Sequence, residues 1–395
     1  MLAPTALRAQ FLEGFDSQAS ANVTVLSEPD TAVMFVDYSN MTIGTTSFTI
    51  PEAPRRIPGS AATRGVLIQA NLTAALPAAV NILAGTTPIP FSGRYRVSFD
   101  CWINVPVPLP GGSTEQLLWA VSSDGLTPNE CRHNLATGAL GVYGWLAGEN
   151  GYATEDAVIA EGPLRLDRLG DQIAGQEHFF DDAFDEAILT AVHNTPANHW
   201  TRVDIDVDGT TVRVYYNGIQ FHNVTAAIPP AGFAMIGYED PFGSLGTQPD
   251  AQWGLFDNFR VQLPSGCNGF GSTVTQGTAT AGQIMNGGAE PAVGCPMTLR
   301  LRGGPANGLT LLTMGVPSPV TLPIPLANCT LGLEVSIALA NVLKTADALG
   351  NSTFTIELTP NPAFCGVSFG FQYFWLDNTP CGVATTEGLK LTIGS

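Results

Sequence analysis

The chain has 395 residues, enough for two domains that each bury a sizeable core. Only 13% of the residues are charged, while 43 glycines and 29 prolines accompany 45% hydrophobic residues, which is typical of an all-β fold with many turns. The net charge of −18 argues against nucleic acid or an anionic membrane as a partner, and no apolar run reaches the roughly 18 residues of a membrane span.

The first ten residues, MLAPTALRAQ, lack the apolar stretch of a signal peptide and resemble only its small-residue end. We interpret residues 1–10 as a signal remnant or an N-terminal extension. Over 11–263, short runs rich in β-branched and aromatic residues are separated by turn residues, which predicts one large β-unit. Its predicted strands are Val23–Leu26, Ala32–Tyr38, Gly65–Asn71, Arg94–Val105, Gln116–Ser122, the hairpin Trp200–Gly218, Phe233–Gly237 and Trp253–Leu263.

The clearest of these elements is the hairpin at Trp200–Gly218, which reads WTRVDIDVDGTTVRVYYNG. Apolar and charged residues alternate along 203–207, and this period of two predicts a strand with one buried face and one wet face. Asp208-Gly209 can supply the positive φ angles of a type I′ turn, after which the alternation resumes along 212–216. A large antiparallel sheet with one solvated side is therefore predicted.

Two acidic runs suggest a cation site or acid–base chemistry, and each has a simpler interpretation. Asp204, Asp206 and Asp208 match the front half of an EF-hand calcium loop, but Tyr215 stands where that loop needs a bidentate Glu. We interpret the three acids as solvated carboxylates on the exposed side of the strand. The second run opens a predicted amphipathic helix at 181–194, where acids near the N-terminus favour the helix dipole.

Gly, Ser and Pro punctuate 264–272, which predicts a linker before a second unit at 273–395. Charge supports this division, because residues 265–395 carry four basic and six acidic groups, a net of −2, which leaves −16 for the rest of the chain. Short strands in this unit predict a second, smaller β-sandwich. They are Met297–Arg302, Leu309–Gly315, Cys329–Val335, Ser352–Thr359, Ser368–Asp377 and Gly388–Gly394.

Seven cysteines, five of which cluster after the first unit, are typical of a secreted β-domain supported by disulfides. No CxxC pair occurs, which argues against a structural zinc site. The preferred bridge joins Cys267 to Cys329. Cys295 is expected to pair with Cys365 or Cys381, so that one cysteine of this group is left over.

Several segments of the first unit together resemble the concanavalin A-like, laminin-G-like jelly-roll group. They are FLEGFD at 11–16, FSGRYRVSFDCWINV at 91–105, HWTRVDIDVDGTTVRVYYNG at 199–218, IGYEDPFG at 236–243 and WGLFDNFRV at 253–261. The second unit resembles a small β-module that ends large secreted bacterial proteins, in the segments GCPMTLRLRGGPANGLTLL at 294–312 and GLKLTIGS at 388–395.

The resemblance implies a large antiparallel jelly-roll β-sandwich over 11–263. The group includes lectins, carbohydrate-binding modules, adhesive domains and some glycoside hydrolases, so the fold alone does not choose among them. The hydrolases carry acids on one strand with a Glu-x-Asp-x-x-Glu spacing, and this chain has no such motif. We therefore expect a protein that is not an enzyme.

The resemblance also implies one cofactor, a structural calcium ion. In related jelly rolls an acid near the first strand and an Asp on the last strand meet at one edge of the fold. The matching residues here are Glu13, Asp16 and Asp257, and backbone carbonyls would have to complete the six to eight oxygens that calcium takes. The alternative is that the three are ordinary hydrogen-bonding carboxylates.

Aromatic side chains near loops are the residues that a glycan would stack on. Trp119, Tyr143 and Trp145 lie in or near loop-rich stretches and are predicted to bind sugar rings, and the alternative is that they are core or cross-strand packing residues. Six Asn-x-Ser/Thr sequons predict surface positions open to N-glycosylation. They are Asn22, Asn40, Asn71, Asn223, Asn328 and Asn351.

The sequence therefore predicts an extracellular or cell-surface protein that adheres to glycans or to cell-surface and matrix components. A second hypothesis is a structural subunit that self-associates into an extracellular filament or layer, with residues 1–10 adding a strand to a neighbouring copy. A third hypothesis is a glycoside hydrolase, which requires two acids about 5–10 Å apart across a cleft.

Overall fold

The computed structural model divides between Leu263 and Pro264 into two compact units. Residues 1–10, Asn328, Cys381 and most of the predicted helix at 181–194 lie outside the residues that it describes. The described residues are 11–106, 115–126, 128, 141–148, 155–170, 173–176, 180, 183–184, 195–264, 267, 270–326, 329–358, 361–378 and 382–394.

Strands of the first unit follow the predicted alternating runs, and residues that tolerate a positive φ separate them. Gly209 and Asn217, for example, have φ values of 61° and 50° in the turns of the predicted hairpin. In chain order the strands are β1 (Phe11–Glu13), β2 (Val23–Ser27), β3 (Ala32–Asp37), β4 (Met41–Ile43), β5 (Thr46–Phe48), β6 (Arg64–Gln69), β7 (Ala78–Ala84), β8 (Pro90–Phe91), β9 (Arg94–Asn104), β10 (Gln116–Ser123), β11 (Val142–Ala147), β12 (Ala157–Glu161), β13 (Leu164–Leu169), β14 (Trp200–Asp208), β15 (Thr211–Tyr216), β16 (Ile219–Thr225), β17 (Gly232–Asp240) and β18 (Trp253–Gln262).

Within the described ranges these strands form two eight-stranded antiparallel sheets and the separate hairpin β4-β5. The first sheet has the order β16-β15-β14-β9-β18-β6-β3 with β1 on β18, and the second has the order β13-β12-β11-β10-β17-β7-β2 with β8 on β17. Inward side chains from both sheets share one apolar core that includes Phe99, Trp119, Ile205 and Ile236. The predicted all-β fold with a large antiparallel sandwich is confirmed.

The outer side of the first sheet is covered as well. The chain between β5 and β6 lies across it, with Ile50, Arg55 and Ile57 buried, and Ile50 packs in an apolar cluster with Tyr38 and Trp253. The central strands β9, β14 and β18 therefore have two buried faces. The predicted wet face of β14 is wrong, because alternation within one strand does not show whether a distant segment covers its polar side.

Strands of the second unit form two smaller antiparallel sheets in the described residues: six strands in the order β19-β27-β25-β22-β23 with β26 on β25, and three in the order β20-β21-β24. Leu299, Leu312, Phe371 and Leu391 from both sheets share a core. The strands are β19 (Ser272–Gln276), β20 (Gln283–Asn286), β21 (Pro296–Arg302), β22 (Leu309–Leu326), β23 (Cys329–Thr345), β24 (Ser352–Glu357), β25 (Ser368–Leu376), β26 (Val383–Thr385) and β27 (Gly388–Thr392).

Two strands of this unit are much longer than predicted. β22 and β23 have 18 and 17 residues and pair as one long hairpin, although apolar runs predicted only their first seven residues. Helical structure in the described residues is limited to the 3₁₀ turns Pro249–Ala251 and Pro362–Phe364. No helix in that part of the chain has the length and apolar character that crossing a bilayer demands.

The disulfide of the second unit differs from the predicted one. Cys267 is bonded to Cys365, which closes a loop with a sequence separation of 98, so the bridges Cys267–Cys329 and Cys295–Cys365 are wrong. Cys267 and Cys365 meet because both pack in one small apolar cluster, whereas Cys329 begins β23 at the tip of the long hairpin. Cys295 is buried, and Cys381 lies outside the described residues.

Candidate functional site

Charged residues of β9 and β14 pair across the outer side of the first sheet. The antiparallel register sets Arg94 opposite Asp208 and Arg96 opposite Asp206. Arg96 Nε and Nη2 contact the two Asp206 oxygens at 2.6 and 2.9 Å, a bidentate pair that is almost completely buried. Arg94 Nε lies 2.9 Å from Asp208 Oδ1 at the partly exposed end of the strands. The interpretation of these acids as solvated carboxylates is therefore wrong.

Arg55, from the segment that covers the sheet, is the centre of this arginine–aspartate network. Its Nε contacts Asp100 Oδ1 at 2.8 Å and its Nη1 contacts Asp204 Oδ1 at 2.7 Å. Its Nη2 donates to the carbonyls of Phe99 and Val203. Burial would lower the pKa of Arg55, but the two carboxylates raise it above its ordinary value. For Asp204, burial alone would raise the pKa of the carboxyl, yet the neighbouring arginines lower it to about 2.

Asp257, on β18, lies beside the network, and its pKa is shifted in the opposite direction from that of Asp204. The Tyr38 hydroxyl donates to Asp257 Oδ2 at 2.8 Å, and the Asn258 amide donates to Oδ1 at 2.6 Å. Burial raises the pKa of Asp257 to about 8, against the Tyr38 hydrogen bond and with the help of the nearby Asp100 charge. At neutral pH the Asp257 carboxyl is therefore mostly protonated.

The three carboxylates predicted to hold calcium each accept hydrogen bonds from the protein, and the calcium site stays a prediction. The two oxygens of Glu13 accept the amides of Phe15 at 2.7 Å and Asn22 at 2.6 Å. Asp16 Oδ1 accepts a main-chain amide at 2.8 Å, and Asp257 accepts the Tyr38 hydroxyl and the Asn258 amide. In the described part of the chain, no group of three or more acidic, His or Cys side chains is placed to hold a metal ion. The contacts match the alternative interpretation, ordinary hydrogen-bonding carboxylates.

We expect the thermal stability of the protein to be independent of calcium. Both oxygens of Glu13 and one oxygen of Asp16 already accept main-chain amides, and Asp257 accepts the Tyr38 hydroxyl and the Asn258 amide, so a cation would have to compete with these donors. Calorimetric melting in excess calcium and in excess chelator measures this directly, and the two midpoints should coincide. A midpoint that rises in calcium would show that an ion binds the folded state and would contradict this assignment.

The aromatic residues predicted to stack on sugars are packing residues. Trp119, Tyr143 and Trp145 are completely buried. Trp119 Nε1 donates to the Tyr216 hydroxyl at 3.1 Å in the interior between the sheets, and Trp145 Nε1 donates to the Glu155 carbonyl at 3.1 Å. Their assignment as a glycan platform is therefore wrong, because their rings offer no face to a ligand.

A surface groove opens at one end of the second sheet, where β10 and β12 end and β11 begins. Its volume is about 330 Å³, at the lower end of the range for small-molecule sites. Ser122 Oγ accepts the amide of Val142 at 2.7 Å, which fixes that hydroxyl oxygen in the wall. We call this the end groove, and the lining residues that matter here are Ser122, Ser123, Asp124, Glu161, Ile228 and Pro229.

The end groove combines carboxylates with an apolar wall. Glu161 Oε2 accepts the amide of Ala227 at 2.7 Å, and Asp124 Oδ1 accepts the amide of Leu126 at 2.9 Å, so both carboxylates are oriented by the main chain. Ile228 is 70% exposed beside them. A carboxylate can accept several hydrogen bonds, so this arrangement suits a ligand that has many hydroxyl donors and also an apolar face.

The sequence interpretation missed the end groove, although its components carry a weak signal. SSDG at 122–125 runs from the end of β10 into the following turn, and IPPAG at 228–232 leads into β17, so both segments lie at strand ends. Nothing in either segment shows that the ends of β10 and β17 lie together. Only the pairing of those two strands brings the loops to one edge.

The structure sorts the predicted sequon residues by exposure. Asn71 is buried, and its Nδ2 donates to Asp240 Oδ2 at 2.9 Å, while Asn351 is also buried. Their prediction as surface positions is wrong, because each side chain packs inside its unit. Asn328 lies outside the described residues. The exposed sequon residues are Asn22, Asn40 and Asn223.

No protein-family model and no curated protein matches this sequence. Solved structures resemble it, among them a Bacillus subtilis protein of unknown function with a galectin-like fold, with 9% identity and a TM-score of 0.32 over 65% of this chain and 96% of that chain. The Emp47p carbohydrate recognition domain has 8% identity and a TM-score of 0.34 over 66% and 98%. A β-1,3-glucanase from Mycobacterium marinum has 9% identity and a TM-score of 0.33 over 66% and 100%.

Likenesses of this size carry no information about a ligand or a reaction. The two antiparallel sheets of residues 11–263 confirm the β-sandwich fold that the resemblance implies. The resemblance of the second unit to a C-terminal module of secreted bacterial proteins stays a prediction.

Proposed function

We propose that this protein is a non-catalytic, extracellular binding protein whose first unit recognises glycans in the end groove. The observation that supports the proposal is the groove itself, in which Asp124 and Glu161 lie beside the exposed apolar side chain of Ile228. A pyranose ring offers hydroxyl donors along its rim and C–H groups on its face, which these two kinds of wall complement. The Cys267–Cys365 disulfide supports an oxidising location outside the cell.

The charge of the groove narrows the class of glycan. Asp124 and Glu161 are both acidic, and the unit that contains them carries nearly all of the net charge of −18. Uronic acids and sulfated sugars would be repelled by these carboxylates, whereas neutral hexoses would not. We therefore propose neutral oligosaccharides as the ligands.

The positions of the unusual acids support a role without catalysis. A glycoside hydrolase needs two carboxyl groups across a cleft, one of them with a raised pKa. Burial raises the pKa of Asp257 to about 8 and that of Asp240 to about 6, and neither residue lines the end groove. Asp240 instead accepts hydrogen bonds from Asn71 and from the Phe242 amide inside the fold.

Asp124→Asn and Ile228→Ser are each expected to weaken the binding of neutral oligosaccharides about tenfold, equal to about 1.4 kcal/mol. The first change removes a charge-assisted acceptor and the second removes the apolar wall. A glycan array of neutral and uronic oligosaccharides identifies the ligand, and calorimetric titration of the best neutral one gives the dissociation constants.

Leu76→Ser is the matched control, because Leu76 is 62% exposed in the same unit and does not line the groove. It should bind like the wild type. Three results would overturn the proposal: no binding to any neutral glycan, a preference for uronic sugars, or equal affinity of the wild type and both groove variants.

A further inference from the structure

The hydroxyl of Ser122 is a fixed hydrogen-bond donor in the wall of the end groove. Its Oγ accepts the Val142 amide at 2.7 Å, and the residue is only 9% exposed. This bond orients the oxygen but leaves the hydroxyl proton, which no residue in the described ranges accepts. A Cβ at Gly141 would lie 2.2 Å from that oxygen, so the glycine gives the hydroxyl its space. A ligand in the groove therefore meets a donor that needs an acceptor.

Glu161 supplies an acceptor on the other side of β11. It lies directly opposite Val142 in the pairing of β11 with β12. Its Oε2 accepts the Ala227 amide at 2.7 Å, whereas among the described residues its Oε1 accepts only the Ile228 amide, at a weak 3.5 Å. A carboxylate oxygen accepts more than one hydrogen bond and has no proton of its own to offer. Oε1 is therefore open to a donor group of the ligand.

The third wall of the end groove is apolar. The bonds to Glu161 hold Ile228 and Pro229 beside the carboxylate, and both of these residues are exposed. The chain then returns to β10, since a Cβ at Gly232 would lie 2.8 Å from the Ser123 carbonyl oxygen. The donor, the acceptor and the apolar wall thus border one space of about 330 Å³, a size that favours a single sugar ring over a long chain.

We propose that the end groove selects sugars that carry an acetamido group, such as the neutral 2-acetamido hexoses. This inference rests on the proposed glycan-binding function and names the class of sugar. An acetamido group has a carbonyl acceptor, an N–H donor and a methyl group. The Ser122 hydroxyl donates to the carbonyl, Glu161 Oε1 accepts the N–H, and Ile228 and Pro229 contact the methyl. A hydroxyl at the same carbon of a plain hexose lacks the apolar part and makes fewer of these contacts.

A cationic amino sugar is the competing ligand, because Asp124 and Glu161 would attract its ammonium group. An ammonium has three donors and no acceptor, so it would leave the Ser122 proton without a partner. It also offers no apolar group to Ile228, which is 70% exposed. The donor and the apolar wall therefore favour the amide over the amine.

NMR titration with methyl β-glycosides that differ only at carbon 2 tests this preference. The ligands are N-acetylglucosamine and N-acetylgalactosamine, the parent hexoses glucose and galactose, and the amino sugars glucosamine and galactosamine. The tighter-binding acetamido sugar should bind about tenfold more tightly than its parent hexose and its amino sugar, because it gains a hydrogen bond and an apolar contact.

Ser122→Ala and Glu161→Gln should each reduce the preference for the acetamido sugar over its parent hexose to about twofold or less. Alanine removes the donor. Glutamine has a single oxygen, which the Ala227 amide occupies, so its NH₂ group would face the N–H of the ligand. The ratio of two dissociation constants is measured on one protein sample, so a smaller folded fraction affects both constants equally. Leu76→Ser is the matched control and should keep the full preference.

The outcomes separate this inference from the function on which it rests. No binding to any neutral glycan would overturn both. If neutral glycans bind, three results would overturn the acetamido preference alone: a parent hexose that binds as tightly as its acetamido sugar, an amino sugar that binds more tightly, or an unchanged preference in either groove variant. A preference that is present in the wild type and in the control, and lost in both groove variants, would support the assignment.

Discussion

Replacing Arg55 with methionine is expected to lower the free energy of unfolding of the first unit by about 3–5 kcal/mol. The Arg55 guanidinium contacts Asp100 and Asp204 at 2.8 and 2.7 Å, and all three side chains are buried. Methionine can fill much of the space, but it leaves both carboxylates without this cation and two carbonyls without a donor. Removing one partner of a buried ion pair is costly because the remaining charge keeps no water to stabilise it.

Urea unfolding followed by tryptophan fluorescence measures this loss, because five of the six tryptophans belong to the first unit. Arg56→Met is the control. Arg56 is the next residue, and it pairs with Glu52 at 3.3 Å with both side chains about half exposed. An exposed pair contributes about 0–1 kcal/mol, so this variant should unfold almost like the wild type.

Arg55→Lys should fall between the two variants. An ammonium keeps the charge but cannot form the fork that contacts two carboxylates and two carbonyls together. Equal losses for the Arg55 and Arg56 methionine variants would contradict the central role of Arg55. A lysine variant as stable as the wild type would contradict the importance of the guanidinium geometry.

The sequence predicted the architecture well because the strands carry their own period. Alternation along β9, β14 and β18 locates those strands to within one or two residues, since a slip by one residue would move every core side chain to the other face. β22 and β23 were predicted too short for a physical reason. The half of β22 nearest the hairpin tip contains four prolines, and both strands have few charged residues there. Apolar and charged residues therefore do not alternate as they do in a half-buried strand.

The burial and pairing of the charged strand faces could not be predicted from one strand alone. Arg94 and Arg96 in RYRVSFD have the same spacing as Asp208 and Asp206 in DIDVD, and the antiparallel register places them opposite each other. This complementarity is a signal that a comparison of the two strands could have found. Arg55 has no such signal, because it lies in an irregular segment that reaches the sheet only through the tertiary fold.

The predictions of the glycan platform and of the disulfide were wrong because they required side-chain exposure and contacts between residues far apart in the sequence. Trp119 lies in a strand whose two faces are both buried, so the residue type alone could not separate a sugar platform from a core side chain. Cys267 and Cys365 are 98 residues apart, and spacing does not determine disulfide connectivity. The end groove arises from pairing between the distant strands β10 and β17.

Asp257→Asn is expected to remove a loss of stability that the wild type suffers as the pH rises. An aspartate in the unfolded chain has a pKa of about 3.9, whereas burial raises the pKa of folded Asp257 to about 8. Between these values the folded state holds a proton that the unfolded state has released. Its contribution to the free energy of unfolding therefore falls with rising pH, by at most about 1.4 kcal/mol per pH unit.

Asparagine imitates the protonated acid, because its amide can donate to the Tyr38 oxygen while the Tyr38 hydroxyl donates to the Ala62 carbonyl, which lies 3.1 Å away. The gap in unfolding free energy between variant and wild type should widen in favour of the variant by about 3 kcal/mol from about pH 5 to about pH 8. Urea unfolding at several pH values gives both curves. Leu76→Ser, which changes an exposed side chain of the same unit and removes no carboxylate, should keep the pH dependence of the wild type. Parallel curves for Asp257→Asn and the wild type would show that Asp257 is ionised in the folded protein, and its burial beside Asp100 would then need a compensating cation.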